Sequence, residues 1–277
     1  KLSEKALPII TSSGSVVRAG DYDGDGDLDL FVGGRIVPGE YPLPPRSYIL
    51  NNNNGIFTDV TAVVCPSLQN VGMVTSALWT DYDSDGSLDL MLAGEFMQVK
   101  VLKNSNGIFN DVTEDVGLKN SYGWWNSLAE GDFDNDGDID YIVGNHGTNS
   151  RYTASVSQPL CIYANDYDKN GTIDPIMCLF IQGKDYPAAS RDAMIHQISA
   201  MRGRFKTYED YANVTFKEAF TPEELDGAYV VKCETLYSAY IENMGNGSFT
   251  MHKLPVLAQL GPINGIQVLD IDGDGNL

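Results

Sequence analysis

The stretch "DYDGDGDLDL" (Asp21–Leu30) returns as "DYDSDGSLDL" (Asp81–Leu90) and "DFDNDGDIDY" (Asp132–Tyr141). A looser copy begins at Asp166 ("DYDKNGTIDP"), and an incomplete one begins at Asp270 ("DIDGDGNL"). Five carboxylates within nine residues repel one another unless something positive sits among them. A motif that recurs at intervals of 60, 51, 34 and 104 residues marks a repeat, and a repeat decides the architecture before any single element does.

Around each acidic loop the same neighbours recur. Gly72, Gly123 and Gly261 stand nine residues ahead of a loop, and the runs between, "MVTSALWT", "WWNSLAEG" and "INGIQVL", read as strands. After the first three loops come "LFVGG", "LMLAG" and "YIVGN", too short for helices and rich in β-formers. A third shared piece, "NNGIFTDVT" (Asn53–Thr61) and "SNGIFNDVT" (Ser105–Thr113), carries the Asn-Gly signal of a hairpin, with a weaker echo in "GNGSFTMHKLP" (Gly245–Pro255). One unit is therefore strand, acidic loop, strand, connection, strand, turn, strand. Four antiparallel strands per repeat of about 50 residues is the signature of a β-propeller blade. The expected fold is all-β, a partial propeller over 1–277 with about four and a half blades. The 34-residue spacing implies a trimmed unit, and a helical insertion over 185–226 is marked by "SRDAMIHQ" and the Thr221-Pro222-Glu223-Glu224 helix start.

Numbered from the first Asp, positions 1, 3 and 5 carry Asp21, Asp23, Asp25; Asp81, Asp83, Asp85; Asp132, Asp134, Asp136; and Asp166, Asp168, Asn170. Position 9 carries Asp29, Asp89, Asp140 and Asp174, and position 6 is Gly26, Gly86, Gly137 or Gly171. Position 7 (Asp27, Ser87, Asp138, Thr172) is expected to offer its backbone carbonyl. Leu28, Leu88, Ile139 and Ile173 at position 8 are expected to peg the loop into the core. Hard oxygens at alternate positions of a tight loop suit Ca²⁺, with Gly taking angles that a side chain forbids. An EF-hand needs a Glu at position 12 and flanking helices, but Val32, Leu92, Val143 and Met177 stand there. About four calcium sites follow, with a partial fifth at Asp270, Asp272 and Asp274; Asn170 should weaken the fourth.

Composition agrees. Acids outnumber bases 38 to 18, the net charge is −20, and 20 of the acids lie in the five loops, so bound cations would cancel much of it. Such a charge argues against nucleic acid or an anionic membrane as partner, and no apolar run reaches the length of a membrane span. The chain opens "KLSEKALP" without Met and stops inside its own motif, which reads as a piece of something longer. Cys65, Cys161, Cys178 and Cys233 lack metal or redox spacing and read as buried thiols, with Cys161 and Cys178 able to meet across a hairpin.

The D-x-D-x-D-G-x-x-D loop between two strands, followed by an apolar strand ending in Gly, resembles the FG-GAP or VCBS repeats of integrin α-subunit-type propellers. "DGDGDLDLFVGGR", "GWWNSLAEGDFDNDGDIDYIVGN" and "SRDAMIHQ" are similar to large bacterial secreted or outer-membrane-associated VCBS-repeat proteins, common in Bacteroidetes and related to the cartilage acidic protein. The resemblance implies seven blades in the full protein, calcium loops on one face, and an opposite face built from the other strand connections. That face would carry Arg35, Tyr41, Trp124, Trp125, Asn126, Asn145, His146, Arg151 and Tyr152, with Arg191 and Asp192 of the insertion. Aromatic rings beside Arg and Asn suit a glycan or a protein segment, although one of the two tryptophans reads as core.

No nucleophile elbow, phosphate loop or zinc-protease motif is present. The reading is a non-catalytic, calcium-stabilised module of a secreted, periplasmic or cell-surface protein. The rival is a lyase-like enzyme on polysaccharide, for which Arg151 with His146 and Tyr152 is the compact candidate.

Overall fold

The computed structural model describes residues 6–277. It is mostly β, with four antiparallel four-stranded sheets set as propeller-like blades, and the ring is not closed in this chain. The first sheet is a meander of β1 (Ser13–Gly20), β2 (Asp29–Ile36), β3 (Tyr48–Asn53) and β4 (Ile56–Asp59). A short helix α1 (Thr61–Val64) leads to the second sheet: β5 (Met73–Thr80), β6 (Asp89–Met97), β7 (Lys100–Ser105) and β8 (Ile108–Asp111). The short strand β9 (Gly123–Trp124) adds to β6. Each of the first four acidic loops joins the first strand of a sheet to its second, and each Asn-Gly turn joins the third to the fourth, as the repeat implies.

The third sheet departs from that simplicity. Its strands β10 (Ser127–Gly131) and β11 (Asp140–Gly144) pair with β16 (Ala239–Asn243) and β17 (Phe249–Lys253), about a hundred residues later. Between them lies a nested fourth sheet, β12 (Leu160–Asn165), β13 (Asp174–Ile181), β14 (Lys184–Pro187) and β15 (Tyr229–Cys233), ordered β14-β13-β12-β15. The 34-residue spacing is thus no trimmed blade. The chain leaves the third blade after two strands, builds the nested sheet, and returns to complete the blade with the "GNGSF" hairpin.

Five helices fall between β14 and β15, inside the expected insertion: α2 (Arg191–Gln197), α3 (Met201–Arg204), α4 (Tyr208–Ala212), α5 (Phe216–Ala219) and α6 (Pro222–Leu225). Capping boxes at Thr207/Asp210, Thr215/Glu218 and Thr221/Glu224 start three of them. Apolar residues of the helices and their C-caps, Met194, Ile198, Phe205, Phe216 and Phe220, pack on Ile176 and Cys178 of β13, which makes a core of their own. No helix among the described residues is long and apolar enough to cross a membrane.

The ring's core lies between successive sheets, and β6 shows why. All nine of its residues are buried. Leu90 and Leu92 face Phe31 and Ile49 of the first sheet, while Met91 and Ala93 face Tyr141, Val143 and Ile241 of the third. A strand sandwiched on both faces buries both sets of alternating side chains, so Leu90–Ala93 shows no polar period.

The first strands of the three ring sheets lie side by side, tied by a repeated bond. Ser15 Oγ donates to Val74 O at 2.6 Å, Thr75 Oγ1 to Trp125 O at 3.0 Å, and Ser127 Oγ to Ile263 O at 2.7 Å. Every acceptor sits seven residues before its own acidic loop. The run 263–269 is therefore seated beside β10 in the place a first strand takes in the other sheets, although it forms no ladder. Gly144 keeps that seat open: a Cβ there would lie 2.4 Å from Ile263 O. Thr75→Val, which removes one such bond while keeping the shape, is expected to cost about 1–2 kcal/mol in denaturant melts, and no loss would show the ties to be incidental.

Candidate metal centres and the opposite face

All five acidic loops close in one way. The position-6 Gly N–H donates to Oδ2 of the first Asp at 2.8–3.1 Å. The position-7 N–H donates to Oδ1 of residue 5 at 2.8–2.9 Å. Gly26, Gly86, Gly137, Gly171 and Gly275 hold φ between +87° and +96°. Position 4 is left-handed as well, at Gly24, Ser84, Asn135, Lys169 and Gly273, a requirement hidden by its varied residues.

These turns gather the carboxylates. Asp21, Asp23 and Asp29; Asp81, Asp83 and Asp85; Asp132, Asp134 and Asp136; Asp166, Asp168 and Asp174; and Asp270, Asp272 and Asp274 each bring three oxygens within 4.8 Å of one another. The position-9 carboxylates Asp29, Asp89 and Asp140 are fully buried, and Asp174 nearly so. Burial, helped by the neighbouring Asp83, pushes the Asp89 carboxyl up to about 7. Burial likewise lifts Asp29 to about 6 and raises Asp174. Oxygens of Asp83, Asp89 and Asp132 are buried with no hydrogen-bond partner. In the second loop Lys103 Nζ meets Asp83 and lies 3.1 Å from Asp85 Oδ2. The fifth cluster is fully exposed.

One expectation about the loops needs correction. Of the position-8 residues only Ile139 packs against a core: Leu28 is 59% exposed, and Leu88 and Ile173 are half-buried and join none. The peg is the aromatic residue at position 2, buried as Tyr22, Tyr82 and Tyr167 and half-buried as Phe133. The side chain of Asp27 at position 7 turns away to accept from Asn54 N at 2.9 Å.

The sequence reading also missed an asparagine. Asn52, Asn104 and Asn243 donate their backbone N–H to Oδ1 of Asp29, Asp89 and Asp140 at 2.7–2.8 Å. Their Nδ2 atoms reach the carbonyls of Leu28, Leu88 and Ile139, and their Oδ1 atoms take the N–H of Gly55, Gly107 and Gly245. One side chain thus ties hairpin turn to acidic loop. An Asn shortly before each Asn-Gly or Gly-Asn-Gly turn was the available signal.

At the other end of the strands, the connections after β2 and β11 meet the chain entering β9. Trp124 stacks on His146 with centroids 4.8 Å apart, and Phe96 and Tyr152 flank it at 5.1 and 6.3 Å. Arg151 lies over Tyr152 and donates to its hydroxyl at 2.9 Å. Asn126, half-buried, is held by its N–H on Gly144 O at 2.8 Å. Trp125 does not belong to the face. It is fully buried, and its Nε1 donates to Ser121 O at 2.8 Å. Arg35 is engaged by Glu95 of the next sheet, which also accepts from Tyr41 Oη at 2.7 Å. Asn145 is buried and holds the carbonyls of Thr235 and Tyr237, so it braces the connection. Arg191 is spent on Asp192 and on the carbonyls of Phe205 and Lys206 within the helical insertion. The four cysteines are buried free thiols, with Cys161 and Cys178 opposite in register.

Residues 81–143 match the FG-GAP-like repeat, which runs here from the second acidic loop through the strand that follows the third. No curated protein matches the chain.

Proposed function

We infer that the chain is a non-catalytic, calcium-stabilised propeller module of an extracytoplasmic protein, with a protein or glycan ligand on the face away from the acidic loops. The observation that carries this reading is the cluster of three hard carboxylate oxygens repeated in every acidic loop, with buried, unpartnered oxygens in the second and third. An ion in each cage would be held by Asp21, Asp23, Asp25 and Asp29; by Asp81, Asp83, Asp85 and Asp89; by Asp132, Asp134, Asp136 and Asp140; and by Asp166, Asp168, Asn170 and Asp174, with backbone help from Asp27, Ser87, Asp138 and Thr172. All are oxygen donors, which favours calcium over softer metals, and sites of this kind on extracellular modules work at about 10⁻⁴–10⁻³ M. That concentration supports a compartment outside the cytosol. The integrin-like and bacterial surface-protein kinship suggested by the longer sequence runs belongs to the same reading.

Ligands that bind only the folded chain stabilise it by mass action, by about 2.7 kcal/mol at a hundredfold excess over Kd. A melt in about 10 mM calcium is expected to exceed that in chelator by on the order of 10 °C, with magnesium giving little. An unchanged midpoint would withdraw both the calcium and the compartment.

The lyase reading retains one support, the convergence of Arg151, His146 and Tyr152 on one face. Against it, Arg151 is packed on the Tyr152 ring and His146 on Trp124, which leaves no base standing beside a free cation. Incubation with acidic polysaccharides is expected to give no rise in unsaturated-product absorbance; turnover lost in His146→Ala would reverse the assignment.

A further inference from the structure

Two of the buried cysteines are cross-strand neighbours: Cys161 of β12 and Cys178 of β13 are register partners in the nested sheet. Facing residues of an antiparallel pair put their Cα atoms about 4.5–5.5 Å apart with both side chains on one face, and a disulfide spans Cα separations of about 4.4–6.8 Å. The thiols share a hydrogen bond, which holds Cys161 below the ordinary cysteine range and drives Cys178 above it. Cys161 is thus the readier thiolate, with a second sulfur beside it. Other pairings are closed off. Cys233 of β15 stands opposite Leu160, so alternation sends it to the other face of the sheet, where it packs with Met73 and Leu236. Cys65 belongs to the core of the first two sheets.

The place of the pair gives the link a consequence. A bond from Cys161 to Cys178 closes a ring around the fourth acidic loop, Asp166 to Asp174, the copy in which Asn170 stands for a carboxylate. The β12–β13 ladder runs from Asn165 opposite Asp174 back to the cysteines, so the covalent closure would hold the hairpin whose loop has the fewest charges to organise it. Met194, Phe216 and Phe220 of the helical insertion share one core with both cysteines. An oxidant therefore reaches the sulfurs when the insertion lifts or while the chain folds, and the finished link is shielded from reductant.

We propose that Cys161 and Cys178 are the site of a reversible cross-strand disulfide that staples the β12–β13 hairpin around the fourth acidic loop. The Cys161 thiolate attacks a disulfide oxidant and releases one thiol; Cys178 then attacks the mixed disulfide and releases the second. Two electrons and two protons pass from the pair to the oxidant, which ends as two thiols. The test holds the chain in glutathione buffers from fully reduced to fully oxidised, both as folded and after refolding from denaturant, in calcium and in chelator, followed by alkylation and peptide mapping. In the refolded arm the alkylatable thiols are expected to fall from four to two, with one reversible link joining Cys161 to Cys178. The linked chain is expected to melt higher than the reduced one by roughly 5 °C, a gain absent from Cys161→Ser and Cys178→Ser. Four thiols in both arms of the oxidised series, a link that includes Cys65 or Cys233, or a stable glutathione adduct in place of the link would overturn the site. A Cys161–Cys178 link that leaves the midpoint unmoved would overturn the staple. The calcium melt reads the proposed function separately. A chain stabilised by calcium that keeps four thiols loses this inference and keeps the metal reading, whereas a linked chain indifferent to calcium does the reverse.

Discussion

In chelator at neutral pH, Asp89→Asn is expected to melt at or above the parent chain, and in about 10 mM calcium to melt clearly below it. The crossing follows from where Asp89 sits. Its carboxylate is fully buried, with Oδ1 on the Asn104 N–H and Oδ2 on nothing, and burial lifts its pKa to about 7. Without an ion the folded chain keeps a proton on Asp89 that the unfolded chain releases near the ordinary value of about 3.8. The unfolded state therefore binds fewer protons between those values, and stability falls as pH rises from about 4 to about 7. The loss over that window is on the order of a few kcal/mol. Asparagine keeps the shape and the acceptor for Asn104 and carries no charge to bury, so it escapes this cost. In calcium the balance reverses, because the ion takes the ionised carboxylate and the amide is the poorer ligand. A parallel series at pH 5 should narrow the gap in chelator. If Asp89→Asn loses equally in both buffers, the residue is a structural hydrogen-bond acceptor and the second loop is no metal cage.

How much of this was legible in the sequence depends on what each residue answers to. The acidic loops, the strands beside them and the two Asn-Gly hairpins are local, and their spacing gave the blade directly. The nested sheet was not legible, because nothing near Asn145 or Ser238 says that β11 waits for a partner at Ala239–Asn243. Register between distant strands is set by packing, which leaves only a faint trace such as the "GNGSF" echo. Position 8 misled for a related reason: an apolar residue beside a buried Asp looks like an anchor, yet strand alternation sends Leu28 outward once Asp29 points in. On the opposite face, Trp124 and Trp125 cannot both face solvent from adjacent places, and only the Ser121 carbonyl that takes the Trp125 indole decides between them.

The asparagines make the second large prediction, because they differ in one contact. Asn104 Nδ2 donates to Leu88 O of its own loop and, at 2.7 Å, to Tyr22 O of the preceding loop; Asn243 Nδ2 does the same with Ile139 O and Tyr82 O. Asn52 reaches Leu28 O alone and is half-buried. Both inner asparagines are nearly fully buried, so truncation strands the carbonyls and the turn N–H of Gly107 or Gly245. Asn104→Ala and Asn243→Ala are expected to cost about 3–5 kcal/mol each, and Asn52→Ala about 1 kcal/mol, in denaturant melts in calcium. The excess measures what holds one blade's loop against the next. The Asn104→Ala loss should be partly shared with Asp89→Asn in a double-mutant cycle, since both changes loosen the same loop. Equal losses at Asn52 and Asn104 would mean that the bond between loops is worth nothing, and that side-chain packing alone, Leu90 and Leu92 against Phe31 and Ile49, keeps the blades in line.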